Sequence, residues 1–193
     1  VILPIVEGDG EVRAVPILIR RIVAHYAPSA FVPVGRPIPV SRLGFVRTDL
    51  LERTVELAAR QTQPTDGILI LLDADDDCPC DLAEALMTRA KAARPDRAIS
   101  VVAANREYEA WFLAAATSIR GKRGLADDMN APADPEAIRD AKGWLARHTP
   151  RGFTYKPTLD QPALTNIFDL EQAYAARSFR KLVKEVLALA RLS

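Results

Sequence analysis

Cysteine is nearly missing from this chain: among 193 residues only Cys78 and Cys80 occur, too close together to clamp a long loop. Stability has to come from a packed core, and a reducing cytoplasm is the expected compartment. No apolar run reaches the roughly 18 residues of a membrane-spanning helix, and no secretory signal pattern opens the chain, so no membrane association is expected. A dominant charge is missing too. The 26 basic and 25 acidic side chains give a formal net charge of +1, which supplies no global field to gather nucleic acid or anionic lipid. Any nucleic-acid contact must therefore be a local patch. His25 and His148 are isolated and form no zinc spacing with the cysteines. Gly8 and Gly10 are not followed by the Gly-Lys-Ser/Thr of a phosphate-binding loop, nor spaced as a dinucleotide fingerprint, and no nucleophile elbow supports a serine triad.

What is present is ordinary for a globular domain, with 49% hydrophobic and 26% charged residues. Residues 1–6 form a short apolar run ended by Glu7, Gly8, Asp9 and Gly10. Residues 11–26 then recur apolar at helical spacing through Val15, Ile19, Ile22 and Val23. Residues 31–40 are β-rich but broken by Pro33, Pro37 and Pro39, which suits an edge strand and a loop. Thr48 or Asp49 is a candidate cap for a helix ending near residue 61. Residues 68–72 are uninterrupted aliphatic and end on Asp73, the pattern of a strand buried on both faces of a parallel sheet. Pro79 opens a helix ending near residue 94, and residues 98–103 supply a fourth strand. This alternation predicts an α/β fold, a mainly parallel four-stranded sheet flanked by helices, with ligands beyond the carboxyl ends of the strands. Later segments read as helices over 106–119, 134–147, 169–176 and 178–192, with irregular stretches at 121–135 and 149–165. A single domain is expected, its core spanning roughly residues 1–117 and a helical C-terminal elaboration roughly 118–193.

Parallel strands ending at Glu7 and Asp73 would bring both carboxylates to one sheet edge. Asp73, Asp75, Asp76 and Asp77 crowd together just after a buried strand, where their repulsion is costly without a cation. Oxygen donors of this kind, Asp77 among them, suit Mg2+ or Mn2+. The plainer alternative is an acidic, solvated loop with a helix cap. Glu11 stands one helical turn beyond Glu7, so both can face one ion or two neighbouring ions. A helix beginning near Asn105 would bring either Glu109 or Glu107 to the same edge but not both, since about 200° separates them around a helix. Glu109 is the preferred candidate. Arg36, Arg42 and Arg47 lie in or near the loop after the second strand, where Arg42 and Arg47 are placed to guide a phosphate backbone. Lys156 is a loop cation that either reaches a phosphate or is simply solvated. Trp111 and Phe112 read as core anchors.

An aliphatic strand ending in Val6-Glu7-Gly8, with Glu11 four residues after Glu7, then an aliphatic strand ending in Asp73-Ala74-Asp75, resembles the Toprim domain. That domain is shared by topoisomerases, bacterial primases and the overcoming-lysogenization-defect nucleases. The resemblance implies a Toprim-like sheet, a general acid or base at Glu7, Mg2+ binding by Asp73 and Asp75, and the nuclease branch's extra carboxylate at Glu11. Glu109 to Leu113, then Tyr155-Lys156-Pro157 and Ser178-Phe179, are similar to a family of uncharacterised bacterial proteins with a Toprim-like core. The leading expectation is Mg2+-dependent phosphoryl transfer, namely hydrolysis of nucleic-acid phosphodiesters. A non-catalytic or partner-dependent subunit working with an ATPase is the second. Metal-dependent glycosyl transfer is the third, and its resemblance covers only residues 68–77.

Overall fold

An aliphatic segment as long as residues 67–73 can be hidden only in the middle of a sheet, and the computed structural model, which describes residues 1–46, 49–150 and 154–192, places it there. Strands β1 (Ile2–Val6), β2 (Ile38–Pro39), β3 (Gly67–Asp73) and β4 (Ala98–Ala104) pair in parallel in the order β2-β1-β3-β4. The edge strand β2 is short because its prolines cannot donate to a ladder, although Val34 adds one bridge to Ile2.

The helices are α1 (Asp9–Tyr26), α2 (Arg42–Val46), α3 (Leu50–Arg60), α4 (Pro79–Ala93), α5 (Ala110–Ala114), α6 (Ala141–Arg147), α7 (Pro157–Thr165), α8 (Leu170–Ala173) and α9 (Arg177–Leu189). Strand alternation divides the core in two. Leu3, Ile5, Ile68, Ile70 and Val101 pack with Phe45, Leu51, Val55 and Leu86, on the side of α3 and α4. Ile2, Val6, Leu69, Leu71 and Val102 pack on the other side with α1, α9 and the remaining helices. From β1 the chain crosses by α1 to β2, then returns by α3 to β3 on the far side of β1. The topological switch point therefore lies between the carboxyl ends of β1 and β3, where open α/β sheets bind their ligands.

Three later segments differ from the sequence reading. The expected helix over 106–119 starts only at Ala110, because the chain leaving β4 is tied to the end of β3. Asp75 N–H donates to Arg106 O at 2.9 Å, and Tyr108 N–H donates to the Asp73 carboxylate. The expected helix over 134–147 breaks into a 3-10 turn at Pro135–Ala137 and α6, which Asp140 caps by accepting from Gly143 N–H at 2.8 Å. The expected irregular stretch 149–165 contains α7. Its Pro157 is not a breaker but a helix starter, at a position that needs no N–H donor.

Asp49 sits at the N-terminus of α3 without a side-chain capping bond, while Thr48 lies outside the described residues. The C-terminal helices are more than decoration: α7 packs along α1, and α9 lies on β3 and β4, closing one face of the sheet. Trp111 and Phe112 are fully buried, and Trp111 Nε1 donates to Ser178 Oγ at 2.8 Å. Among the described residues no helix is long and apolar enough to cross a membrane.

Candidate functional site

Glu7 follows the last residue of β1, Asp73 ends β3, and the Asp73 N–H donates to Glu7 Oε2 at 3.2 Å. Both carboxylates stand at the switch point. Asp73 Oδ1 accepts the Tyr108 N–H at 2.7 Å, while Asp73 Oδ2 lies 3.4 Å from the Lys142 ammonium, which α6 delivers. Lys142 Nζ also lies 2.9 Å from Glu107 Oε1 and 3.2 Å from Glu109 Oε2. Glu107 and Glu109 thus reach one cation together, because residues 105–109 form a turn rather than the helix that would have set them on different sides.

Glu109 is wholly buried. Its Oε1 accepts from Tyr155 Oη at 2.8 Å and Gln161 Nε2 at 3.4 Å, and Gln161 Nε2 also donates to Glu11 Oε1 at 3.1 Å. The structure therefore gathers Glu7, Glu11, Asp73 and Glu109 at one edge, with Glu107 beside them.

Gly8 and Gly10 make room for this arrangement. A Cβ on Gly8 would fall 2.3 Å from Glu11 Oε2, and one on Gly10 would fall 2.1 Å from Gln161 Oε1 and 3.1 Å from the Pro157 carbonyl. Neither glycine has a positive φ, and Gly8 is extended, so the requirement is space.

The crowding raises proton affinities. Burial pushes the Asp73 carboxyl well above its ordinary range; Lys142 opposes this, and Glu109, Glu11 and Glu7 add to it. Burial likewise raises Glu109 against the pull of Lys142 and the Tyr155 hydroxyl, and raises Glu7 against the Asp73 N–H and Arg42. Burial works against the Lys142 charge, but Glu109, Asp73 and Glu107 outweigh it and hold the ammonium more firmly protonated than usual.

The other members of the acidic run point elsewhere. Asp75, with φ 51°, lies exposed 3.8 Å from Arg42 Nε, and Asp77 Oδ2 accepts from Arg42 Nη2. Asp76 pairs with Arg106 at 2.5 Å and Arg139 at 3.2 Å. Arginines pair with each of the three carboxylates of this loop. Arg42, expected to guide a phosphate backbone, also donates to the carbonyls of Asp73 and Ala74, so its guanidinium is engaged with the acidic loop. Arg47 lies outside the described residues, and Lys156 is exposed at the start of α7. Cys78 and Cys80 are free and exposed.

Lys142, Tyr155 and Gln161 escape sequence reasoning as site residues. Only Tyr155 had any signal, in the Tyr155-Lys156-Pro157 run.

The oxygen-rich donor set has the chemistry of a hard-cation site, and Glu109 Oε2 is buried without a hydrogen bond even though Lys142 stands near it. Among the described residues, however, no three Asp, Glu, His or Cys side chains converge closely enough to enclose an ion, and Lys142 takes the place between Asp73, Glu107 and Glu109. Neither the curated proteins nor the solved structures contain a match to this chain. The family described as Domain of unknown function (DUF4276) matches residues 6–187, nearly the whole length, and the chain belongs to that family.

Proposed function

We propose that this carboxylate cluster is a Toprim-like phosphoryl-transfer site that works with Mg2+ or Mn2+ on phosphodiesters of nucleic acid. The observation that carries the reading is the meeting of Glu7 and Asp73 at the β1/β3 switch point, where the Asp73 N–H donates to Glu7 Oε2 at 3.2 Å and the Lys142 ammonium stands beside Asp73. Glu7 and Asp73 would hold the ion, with Glu11 one helical turn beyond Glu7 and Asp75 on the adjoining exposed loop. Such an ion supplies charge neutralisation at a phosphate and at its leaving oxygen. Glu7, half-buried with a raised proton affinity, is suited to hold or release a proton beside the reacting phosphate. Lys142, paired with Asp73, Glu107 and Glu109, would lower the negative charge that a phosphate meets at this edge.

A partner-dependent subunit acting with an ATPase is the second reading. It is favoured by the arginine-covered acidic loop and by a net charge of +1, which together give little free attraction for a polyanion. The test is cleavage of single- and double-stranded DNA and RNA by the purified protein in Mn2+, with Asp73→Asn and Glu7→Gln as controls. Cleavage abolished by both substitutions supports the first reading. Absence of cleavage together with Mn2+ binding supports the second, and absence of both removes the metal site.

A further inference from the structure

The two edges of the sheet are built differently. At the β2 edge Pro37 and Pro39 keep the strand short and deny it donors. The β4 edge has no such protection: Ala98–Ala104 contains no proline, no glycine and no charged residue, and among the described residues no strand lies beyond it. The Ala74 N–H donates to Ala104 O at 2.8 Å, so Ala104 turns its backbone groups toward β3. Backbone direction alternates along a strand, so Ser100 and Val102 also face β3, while Ile99, Val101 and Ala103 aim their N–H and C=O groups outward. Among the described residues no hydrogen bond meets these outward groups.

Ile99, Val101 and Ala103 are nevertheless only 6%, 3% and 5% exposed, so the unpaired edge is recessed and not open to bulk water. Backbone groups buried in this way are costly without a partner. They face a cleft of about 550 Å³, bounded by Ala83, Glu84 and Met87 of α4 and by Arg177 and Lys181 of α9. Since α4 and α9 cover opposite faces of the sheet, the cleft straddles the edge of β4.

Outward N–H and C=O groups at every second residue match the backbone of another extended chain. A second copy of this protein does not reach them. Its own α4 and α9 would flank its β4 in the same way, and the helices would collide before the two strands came within about 4.8 Å. A bare strand passes between them. On one lip Lys181 is paired with Glu185 at 2.7 Å, but the Arg177 guanidinium has no partner among the described residues, and neither has the exposed Glu84 carboxylate on the other lip.

We propose that the β4 edge is a docking slot for one extended segment of a partner protein, an apolar strand that pairs with Ile99, Val101 and Ala103 and sets an acidic side chain against Arg177 and a basic one against Glu84. Side chains alternate along a strand, so these two charges stand an odd number of positions apart. None of the slot residues belongs to the carboxylate cluster, so the slot does not depend on the metal reading.

The test selects a random octapeptide library, displayed on phage, against the full chain, and then uses a synthetic peptide of the selected sequence. Alternating apolar residues with an acidic and a basic side chain on opposite faces are expected. N-methylation of every second peptide nitrogen should abolish binding in one phase and spare it in the other, a readout that leaves the protein untouched. Arg177→Ala, which keeps its backbone N–H, should bind the peptide about tenfold more weakly. In the free protein the amides of Val101 and Ala103 should exchange faster than those of Ser100 and Val102, and peptide should slow them. Failure to select any peptide, or equal loss in both methylation phases, overturns the proposal. So does full affinity in Arg177→Ala. A concentration-dependent dimer that protects the Val101 amide without peptide also overturns it and gives the edge to a second copy.

Discussion

Gly8 and Gly10 are both glycine for space, yet the space serves different ends. At Gly8 the obstructed atom is the tip of the flexible Glu11 side chain, which can swing away without disturbing the backbone. Gly8→Ala should therefore keep the wild-type fold while moving the Glu11 carboxylate, weakening Mn2+ binding about tenfold, or about 1.4 kcal/mol. Isothermal titration beside a thermal melt checks both halves of this expectation. At Gly10 the obstruction includes the Pro157 backbone carbonyl as well as buried Gln161, so α7 itself has to shift. Gly10→Ala should cost about 1–3 kcal/mol as an overpacked contact, read as a lower urea midpoint with unchanged slope. Equal stability losses in the two variants would contradict the distinction between a yielding and an unyielding neighbour.

At the level of elements, the C-terminal helix is anchored by a residue far from it in sequence. Glu136, itself nearly buried, accepts the N–H groups of Arg177 and Ser178 at 2.8 and 2.9 Å and the Ser178 hydroxyl at 2.5 Å, so its carboxylate closes the N-terminus of α9. Ser178 passes the contact on to the Trp111 indole, which joins α9 to α5 in the core. Glu136→Ala leaves these donors unmatched and should cost about 1–3 kcal/mol. Its signature is early loss of amide-exchange protection in α9 rather than in β3. Uniform loss across the sheet would mean that α9 does not open separately. The same long-range tie explains why residues 134–140 are not the continuous helix their composition suggests: the Glu136 carboxylate is drawn to α9, and Asp140 then restarts the chain as a cap.

Across the whole molecule the site leaves a signature in the dependence of stability on pH. Asp73, Glu109 and Glu7 have proton affinities raised above their unfolded values, so the stability they contribute is fully present below the ordinary carboxylate range and is lost as pH rises through their raised values. Glu52, held by Arg89, and Asp140, held by the Gly143 N–H and Arg147, have lowered values, and their contribution is lost as pH falls through those. Lys142, raised further above an already high value, stays charged throughout and adds no slope near neutrality. Metal-free protein should therefore melt higher at about pH 5 than at about pH 8 and lose stability again under stronger acid. Asp73→Asn should raise the melting temperature at pH 8 in EDTA, flatten the upper part of the curve and reduce the Mn2+ response. A wild-type curve that rises steadily from pH 5 to pH 8 in EDTA would contradict the placement of these carboxylates.

The sequence by itself determined the four strands, the parallel sheet and the edge at which Glu7 and Asp73 meet. Aliphatic runs can be satisfied only in a covered sheet, and parallel strands put their carboxyl ends on one side. It also marked Glu11 and Glu109, the first by helical spacing and the second by its place just after β4. Only the tertiary structure decided that Asp75, Asp76 and Asp77 turn out to arginines from three separate segments. It alone brought Glu107 and Glu109 to one ammonium, and made Lys142, Tyr155 and Gln161 part of the site. Those three come from α6, from the segment before α7 and from α7, and each enters through packing against α1 or the turn after β4. Their local sequence carries no periodicity or spacing that points at a carboxylate far along the chain. Charge pairing of that kind is settled by which helices cover which face of the sheet, and that is a property of the folded chain.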